Sequence, residues 1–273
     1  LKPASKSSSK KIRLDQLLVA RGLAKSRAAA QRAIAAGEVL VDGQLKDKPA
    51  IEVSYSAKIE LKSKPRYVSQ GGLKLEKAVQ VFNISAVNKI CLDIGSSTGG
   101  FTDCLLKSGS QKVFAVDVGK GQLDWSLRND SRVVVMEEVN ARYLVPDHIG
   151  EQIDLVVIDV SFISLRLILP QLKSIIIESG EIVALVKPQF EAGRKKVQRG
   201  GVVKDPAVHQ EVLESLAEFI VTKLRYSICG STHSPIKGPA GNIEFLIYLK
   251  PISDQSHKIN WQRIVEEAHQ ELD

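Results

Sequence analysis

The chain has 273 residues, 44% hydrophobic and 25% charged, with a net charge of +7. This composition excludes a disordered chain, and the length allows one large domain or two smaller ones. No apolar run reaches the ~18 residues of a membrane-spanning helix. Cys91, Cys104 and Cys229 are too few and too scattered for a disulfide framework or a CxxC metal site. They read as small buried hydrophobes in a reducing cytoplasm. The five histidines show no ligand spacing, so no metal is expected.

The charge is unevenly placed. Residues 1–66 hold 15 basic and 6 acidic residues, a balance of +9, whereas the remainder holds 23 and 25, a balance of −2. Such asymmetry implies a polyanionic partner, nucleic acid before membrane. Residues 1–10 are polar, lack the apolar core of a signal peptide and are expected to be a disordered tail.

Residues 11–65 read as a small α+β unit. In RLDQLLVARG, Leu14, Leu17 and Leu18 share one helical face, and Gly22 supplies the stop. Ser26 caps a second predicted helix, SRAAAQRAIAAG, with Ala30, Ala33 and Ile34 as its stripe. Val39 and Val41 then alternate before Asp42-Gly43, a hairpin turn signal. Arg13, Arg21, Lys25, Arg27 and Arg32 supply the basic faces and are the expected RNA contacts. Tyr55 is the unit's one aromatic residue, so recognition of folded RNA by backbone and shape fits better than base stacking. The stretch from Arg13 to Gln44 resembles the RNA-binding module shared by a small-subunit ribosomal protein, tyrosyl-tRNA synthetases and pseudouridine synthases.

Residues 66–273 alternate strand and helix. Strands are predicted at 90–94, 113–118, 133–136, 155–159, 182–187, 226–229 and 243–249. Helices are predicted at 72–82, 100–108, 121–129, 163–178, 206–224 and 261–271. The alternation implies an α/β, Rossmann-like domain, its mostly parallel sheet covered on both faces. CLDIGSSTGGFTDCLL, from Cys91 to Leu106, is its strand–turn–helix binding edge. Gly100 is followed by Phe101 rather than Lys-Ser/Thr, which argues against a Walker loop. GxxxGG is not the dinucleotide GxGxxG. S-adenosylmethionine fits better, because it carries an ammonium, a carboxylate and a sulfonium but no phosphate. Asp93 suits the ammonium, directly or through water. The turn residues Gly95, Ser96, Ser97, Thr98, Gly99 and Gly100, with Phe101, leave backbone for the methionine portion. Asp117 ends the next strand and suits ribose hydroxyls, and Asn140 follows another strand and suits the adenine edge.

Charged residues also stand at the ends of apolar strands: Asp159 in DLVVIDVSF, Lys187 in EIVALVK and Glu244 in GNIEFLIYL, with Lys74 in YVSQGGLKL. Buried charges need partners or a task. These segments, with ALVKPQFEAGR, resemble the haemolysin-A/TlyA group of FtsJ-like ribose methyltransferases over nearly the whole chain. The resemblance implies a class I methyltransferase domain, 2′-O-methylation of ribosomal RNA on a ribosomal subunit in the cytoplasm, and a Lys74-Asp159-Lys187-Glu244 catalytic set. Gln70 stands where the family usually has arginine, next to the paired glycines. In this scheme Lys187 is the general base. Burial and the ammonium of Lys74 would favour its neutral form, while Asp159 and Glu244 would oppose that and fix its geometry. Lys74 would also steady charge on the oxygen. Finally, Arg194, Lys195, Lys196 and Arg199 in EAGRKKVQRGGVVK follow the Lys187 strand and form a candidate RNA clamp. A non-catalytic ribosome-assembly factor, a haemolysin and a base-directed RNA methyltransferase are the competing readings. The haemolysin is opposed by the missing spanning helix, and the base-directed enzyme by the missing Asp/Asn-Pro-Pro-aromatic motif and catalytic cysteine pair.

Overall fold

A computed structural model describes residues 11–35, 37–61, 65–251 and 258–273. The expected tail, residues 1–10, lies outside them. The chain divides between Arg66 and Tyr67 into two compact units.

In the first unit, strand β1 (Lys11–Arg13) leads directly into helix α1 (Leu14–Ala20), followed by α2 (Arg27–Ala35). Strands β2 (Val39–Val41), β3 (Gln44–Leu45), β4 (Glu52–Ser54) and β5 (Ile59–Leu61) complete it. Gly22, at φ +71°, follows the last turn of α1. Ser26 Oγ accepts from the Ala29 amide at 3.2 Å, capping α2 as its sequence implied. Asp42 and Gly43 both have positive φ, 49° and 76°, so the β2–β3 connection has the primed-turn geometry that Asp-Gly favours. The pairings are β1 with β4, and β2 with both β3 and β5. Leu14, Leu17, Leu18, Ala30, Ile34, Val39 and Val41 form the core. Strands β1, β4 and β5 carry no signal strong enough to be read beforehand, because three residues give barely one alternation.

The second unit opens with α3 (Gly71–Val81), β6 (Ile90–Ile94), α4 (Gly100–Lys107) and β7 (Lys112–Val116). Then come α5 (Trp125–Arg128), β8 (Val133–Met136), α6 (Pro146–Ile149), β9 (Ile153–Ile158) and β10 (Ile176–Val186). The chain ends with α7 (Pro188–Glu191), α8 (Pro206–Phe219), β11 (Ser227–His233), β12 (Phe245–Lys250) and α9 (Trp261–Leu272). Seven strands form one sheet in the order β11-β12-β10-β9-β6-β7-β8. Strands β10, β9, β6, β7 and β8 pair parallel, and β12 runs antiparallel to both its neighbours. Separate apolar clusters cover the two faces, one including Leu92, Val156 and Leu213, the other Leu75, Cys91 and Leu155. A strand buried on both sides has no polar face, which is why these strands read as unbroken apolar runs.

Three predicted helices need correction. Residues 163–178 form two 3-10 turns, Leu165–Leu167 and Leu169–Ser174, and then enter β10. Pro170 cannot donate to an α-helical ladder, and the β-branched run Ile175-Ile176-Ile177 favours a strand. Only Trp125–Arg128 of the segment 121–129 is helical: Gly121 sits at φ +69°, and Asp124 starts the helix by accepting from the Ser126 amide. The predicted helix at 206–224 is α-helical to Phe219 and closes in a π turn, Ile220–Leu224. The predicted strand 226–229 extends to His233, and Glu244 lies just before β12 rather than inside it.

Candidate active site

Sheet register brings the charged residues together. Ile94 pairs with both Ile158 and Val116, Ala184 with Ile158, and Val186 with Phe245. One step beyond these partners stand Gly95, Asp117, Asp159, Lys187 and, because β12 runs backwards, Glu244. All five lie at the carboxyl edge of the parallel strands. Between β6 and β9 the strand order reverses, which opens a crevice there.

The β6–α4 turn folds onto that edge. The Gly95 and Ser96 amides donate to Val116 O at 2.8 and 3.1 Å, and the Ser97 amide donates to Asp117 Oδ2 at 2.8 Å. The glycines answer first to the protein's own packing. A Cβ on Gly95, at φ +84°, would lie 2.4 Å from Asp159 O; one on Gly100 would lie 2.3 Å from Ser69 Oγ. One on Gly99 would meet Leu127 at 2.2 Å.

Two pockets flank this turn. The first, about 300 Å³, is walled by apolar residues including Ile94, Val116, Val139, Val160 and Ile168. Its polar lining is Ser97, Asp117, Gln122, Asn140, Asp159 and Ser161, with no cationic side chain among the described residues. The second, about 260 Å³, holds Lys74, Asp159, Ser161, Lys187 and Lys237, with Gln70, Ser96, Thr98, Gly100 and Phe101. Gly95, Ser97, Asp159 and Ser161 line both. Asp93 and Gly99 line neither. Asp93 is fully buried and accepts from Thr102 Oγ1 at 2.6 Å, while its Oδ1 has no partner. Burial, against the Thr102 hydrogen bond, pushes its carboxyl up to about 7. Asn140 Oδ1 accepts from the Arg142 amide at 3.1 Å, which fixes that side chain at the pocket wall.

The four expected catalytic residues form two ion pairs. Lys74 Nζ donates to Glu244 Oε2 at 2.6 Å, both side chains being buried. Lys187 Nζ lies 2.6 Å from Asp159 Oδ1 and donates to Ser161 Oγ at 2.9 Å. Each lysine is thus neutralised by its own carboxylate rather than joined in one four-membered cluster. Gln70 stands at the N-cap of α3 and lines the second pocket.

Sequence reasoning passed over several supporting residues. Ser161 and Lys237 line the lysine pocket. Glu191 accepts from Ser164 Oγ and the Leu165 amide, both at 2.7 Å, tying the segment after Asp159 to the helix after Lys187. Burial raises its carboxyl despite those bonds. Asn242, also buried, accepts from the Val203 amide at 2.9 Å and donates to Gly201 O at 3.0 Å. A buried asparagine beside a glycine is the one signal that could have marked it.

The basic segment is folded. Arg194–Lys196 form a 3-10 turn, Gln198 bridges Val202, and Lys196 pairs with Glu211. Arg194, Lys195, Lys196 and Arg199 are exposed. In the first unit, Lys25, Arg27 and Arg32 are exposed. Arg13 and Arg27 both bond buried Asp15, at 2.9 Å each, and the Arg13 guanidinium foremost holds that carboxyl far below its usual range. Arg21 donates to Ala57 O at 2.7 Å and to Tyr55 O, so its head group closes the unit's own loop.

Residues 67–251 match the FtsJ-like methyltransferase family and residues 12–57 the S4 domain. The chain is 50% identical to the Bacillus subtilis protein YqxC, a candidate rRNA methyltransferase, over 97% of this chain and 96% of that one. It is 45% identical to the 16S/23S rRNA (cytidine-2′-O)-methyltransferase TlyA of Mycobacterium tuberculosis, covering 90% and 92%. A solved structure of a hemolysin candidate from Streptococcus thermophilus superimposes with a TM-score of 0.74 at 45% identity, covering 97% and 98%. Among the described residues, no helix is long and apolar enough to cross a membrane.

Proposed function

Since the chain belongs to the haemolysin-A/TlyA group of FtsJ-like methyltransferases and carries an S4 domain, we propose that it methylates ribose 2′-hydroxyls of ribosomal RNA in the cytoplasm, with S-adenosylmethionine as donor. The observation that carries this reading is the pair of pockets meeting at Asp159 and Ser161, one free of cations and one lined by lysines. A cation-free pocket with two aspartates and apolar walls suits a positively charged nucleoside without phosphates. It disfavours ATP, whose triphosphate calls for a lysine such as that of a Walker loop. Asp117 would hold the ribose hydroxyls, Asn140 the adenine edge, and Ile94, Val139 and Ile168 the purine faces. The unpartnered Asp93 Oδ1 behind the turn leaves acceptor capacity for the ammonium, through water.

When bound, S-adenosylmethionine supplies an electrophilic methyl group on its sulfonium. The protein's task is to orient a ribose hydroxyl and remove its proton. Lys187 Nζ, after releasing to solvent the proton it carries in its ion pair with Asp159, takes the hydroxyl proton as a neutral amine. Asp159 Oδ1 at 2.6 Å and Ser161 Oγ at 2.9 Å then hold the resulting ammonium. Lys74, fixed by Glu244, has further N–H donors for the oxygen as negative charge develops on it. Exposed Lys25, Arg27 and Arg32 of the S4 domain would meet RNA phosphates, as would the basic segment from Arg194 to Arg199. The test is single-turnover methyl transfer from labelled cofactor to ribosomal subunits. Transfer must occur with wild-type protein and fall by at least ~100-fold in Lys187→Ala. Wild-type rates in that variant would remove Lys187 as base, and no transfer with wild type would leave an RNA-binding factor.

A further inference from the structure

Three cations line the second pocket, and they are not equivalent. Lys74 and Lys187 are committed to Glu244 and Asp159, whose side chains are 1% and 20% exposed. Lys237 is instead 34% exposed, and its partner is Asp273, 55% exposed, whose Oδ1 accepts from it at 2.9 Å. We propose that Lys237 binds the RNA phosphodiester beside the target ribose, and that Asp273 occupies the place of that phosphate until RNA displaces it. This deepens, and rests on, the reading of the lysine pocket as the ribose site.

The geometry suits such an exchange. Lys237 sits in the connection between β11 and β12, which is stapled to itself: Ser234 Oγ donates to Ile236 O at 2.6 Å, and the Gly238 amide to Asn242 O at 2.8 Å. Gly238 lies so close to Glu244 that a Cβ there would be 2.4 Å from Oε1. The backbone bearing Lys237 is therefore fixed relative to the Lys74–Glu244 pair. Every ribose brings a phosphate, yet the two inner ion pairs are internally neutral and offer it no net charge. Lys237 can offer one. An exposed ion pair is weakened by solvent screening, whereas a phosphate gains a charge-assisted contact and releases counter-ions. Asp273 is also kept within reach. Its Oδ2 meets His269 Nδ1 at 2.6 Å, and His269 Nε2 meets His209 Nδ1 at 3.1 Å.

The two partners must then act with opposite sign. Binding of ribosomal subunits would be measured across ~50 to ~200 mM salt for wild type, Lys237→Ala and Asp273→Asn. Lys237→Ala is expected to weaken binding about three- to tenfold and lower the salt slope by about 1. Asp273→Asn is expected to tighten binding about twofold, since the competing charge is gone. Cofactor affinity, unchanged in both, reports intact folding. Unchanged affinity and slope in Lys237→Ala would overturn the proposal alone. So would Asp273→Asn weakening binding as Lys237→Ala does, which would mark a purely structural pair. Failure of wild-type protein to bind RNA would sink the reading of the pocket as well.

Discussion

At the scale of single residues, two buried charges make separable demands on stability. Asp93 is fully buried, and its carboxyl is moved from 3.8 to about 7, chiefly by burial. The folded state therefore holds a proton that the unfolded state releases between these values. That contribution to stability is complete below pH ~4 and is lost as pH rises through about 7. Asp93→Asn should flatten this decline in urea titrations run from pH 4 to 8, and an unchanged pH profile would contradict it. The Lys74–Glu244 pair poses the complementary case, because both members are buried at 2.6 Å. Glu244→Ala strands an ammonium in the interior and should cost about 3–5 kcal/mol, whereas Lys74→Met with Glu244→Leu should recover most of that. Methyl transfer should stay lost in the double variant, which would separate the catalytic duty proposed for the pair from its structural one.

At the scale of elements, the site depends on segments that reach across the chain to hold one another. Asn242 is 1% exposed and spends both ends of its amide on the backbone of Gly201 and Val203. Asn242→Ala leaves the Val203 amide without its acceptor, and should cost about 1–3 kcal/mol. The basic segment should be cut faster by trypsin at Arg199 and Lys204, while the thermal transition drops by only a few degrees. Equal cleavage rates would mean that the segment is ordered by other contacts. Sequence patterning disclosed the strands of the main sheet because burial on both faces leaves unbroken apolar runs. It also marked the charged residues at strand ends, since a charge closing such a run is conspicuous. It could not anticipate that Lys74 and Lys187 would be neutralised by different carboxylates, which depends on the antiparallel entry of β12. Nor could it show that Gly95, Gly99 and Gly100 are required by neighbouring protein atoms, because contacts between distant segments leave no local mark. The misread helix at 163–178 had the opposite cause: its apolar spacing was periodic, but Pro170 and three consecutive isoleucines outweighed it.

At the scale of the whole molecule, charge and chemistry are allotted to different units. Residues 1–66 carry a balance of +9 and the rest −2, and each unit closes its own core, around Leu14, Leu17 and Ile34 in one and around the seven-stranded sheet in the other. Every residue lining the two pockets belongs to the second unit. Residues 66–273 alone should therefore fold and bind S-adenosylmethionine with the affinity of the full chain, read by titration calorimetry. RNA affinity should behave differently. Without the basic unit, binding to ribosomal subunits should weaken by at least about tenfold, and the dependence of log K on log salt should become shallower, since fewer phosphates are neutralised. Exposed Lys25 and Arg32 are the first unit's main candidates for that loss, whereas Arg21, spent on Tyr55 and Ala57, and Arg27, spent on buried Asp15, should matter for folding as well. Replacing Lys25 and Arg32 together by glutamine in the full chain should make the slope shallower in the same direction with cofactor binding intact. A truncated protein that kept the full chain's slope would place the RNA contacts on the catalytic unit, despite its negative balance.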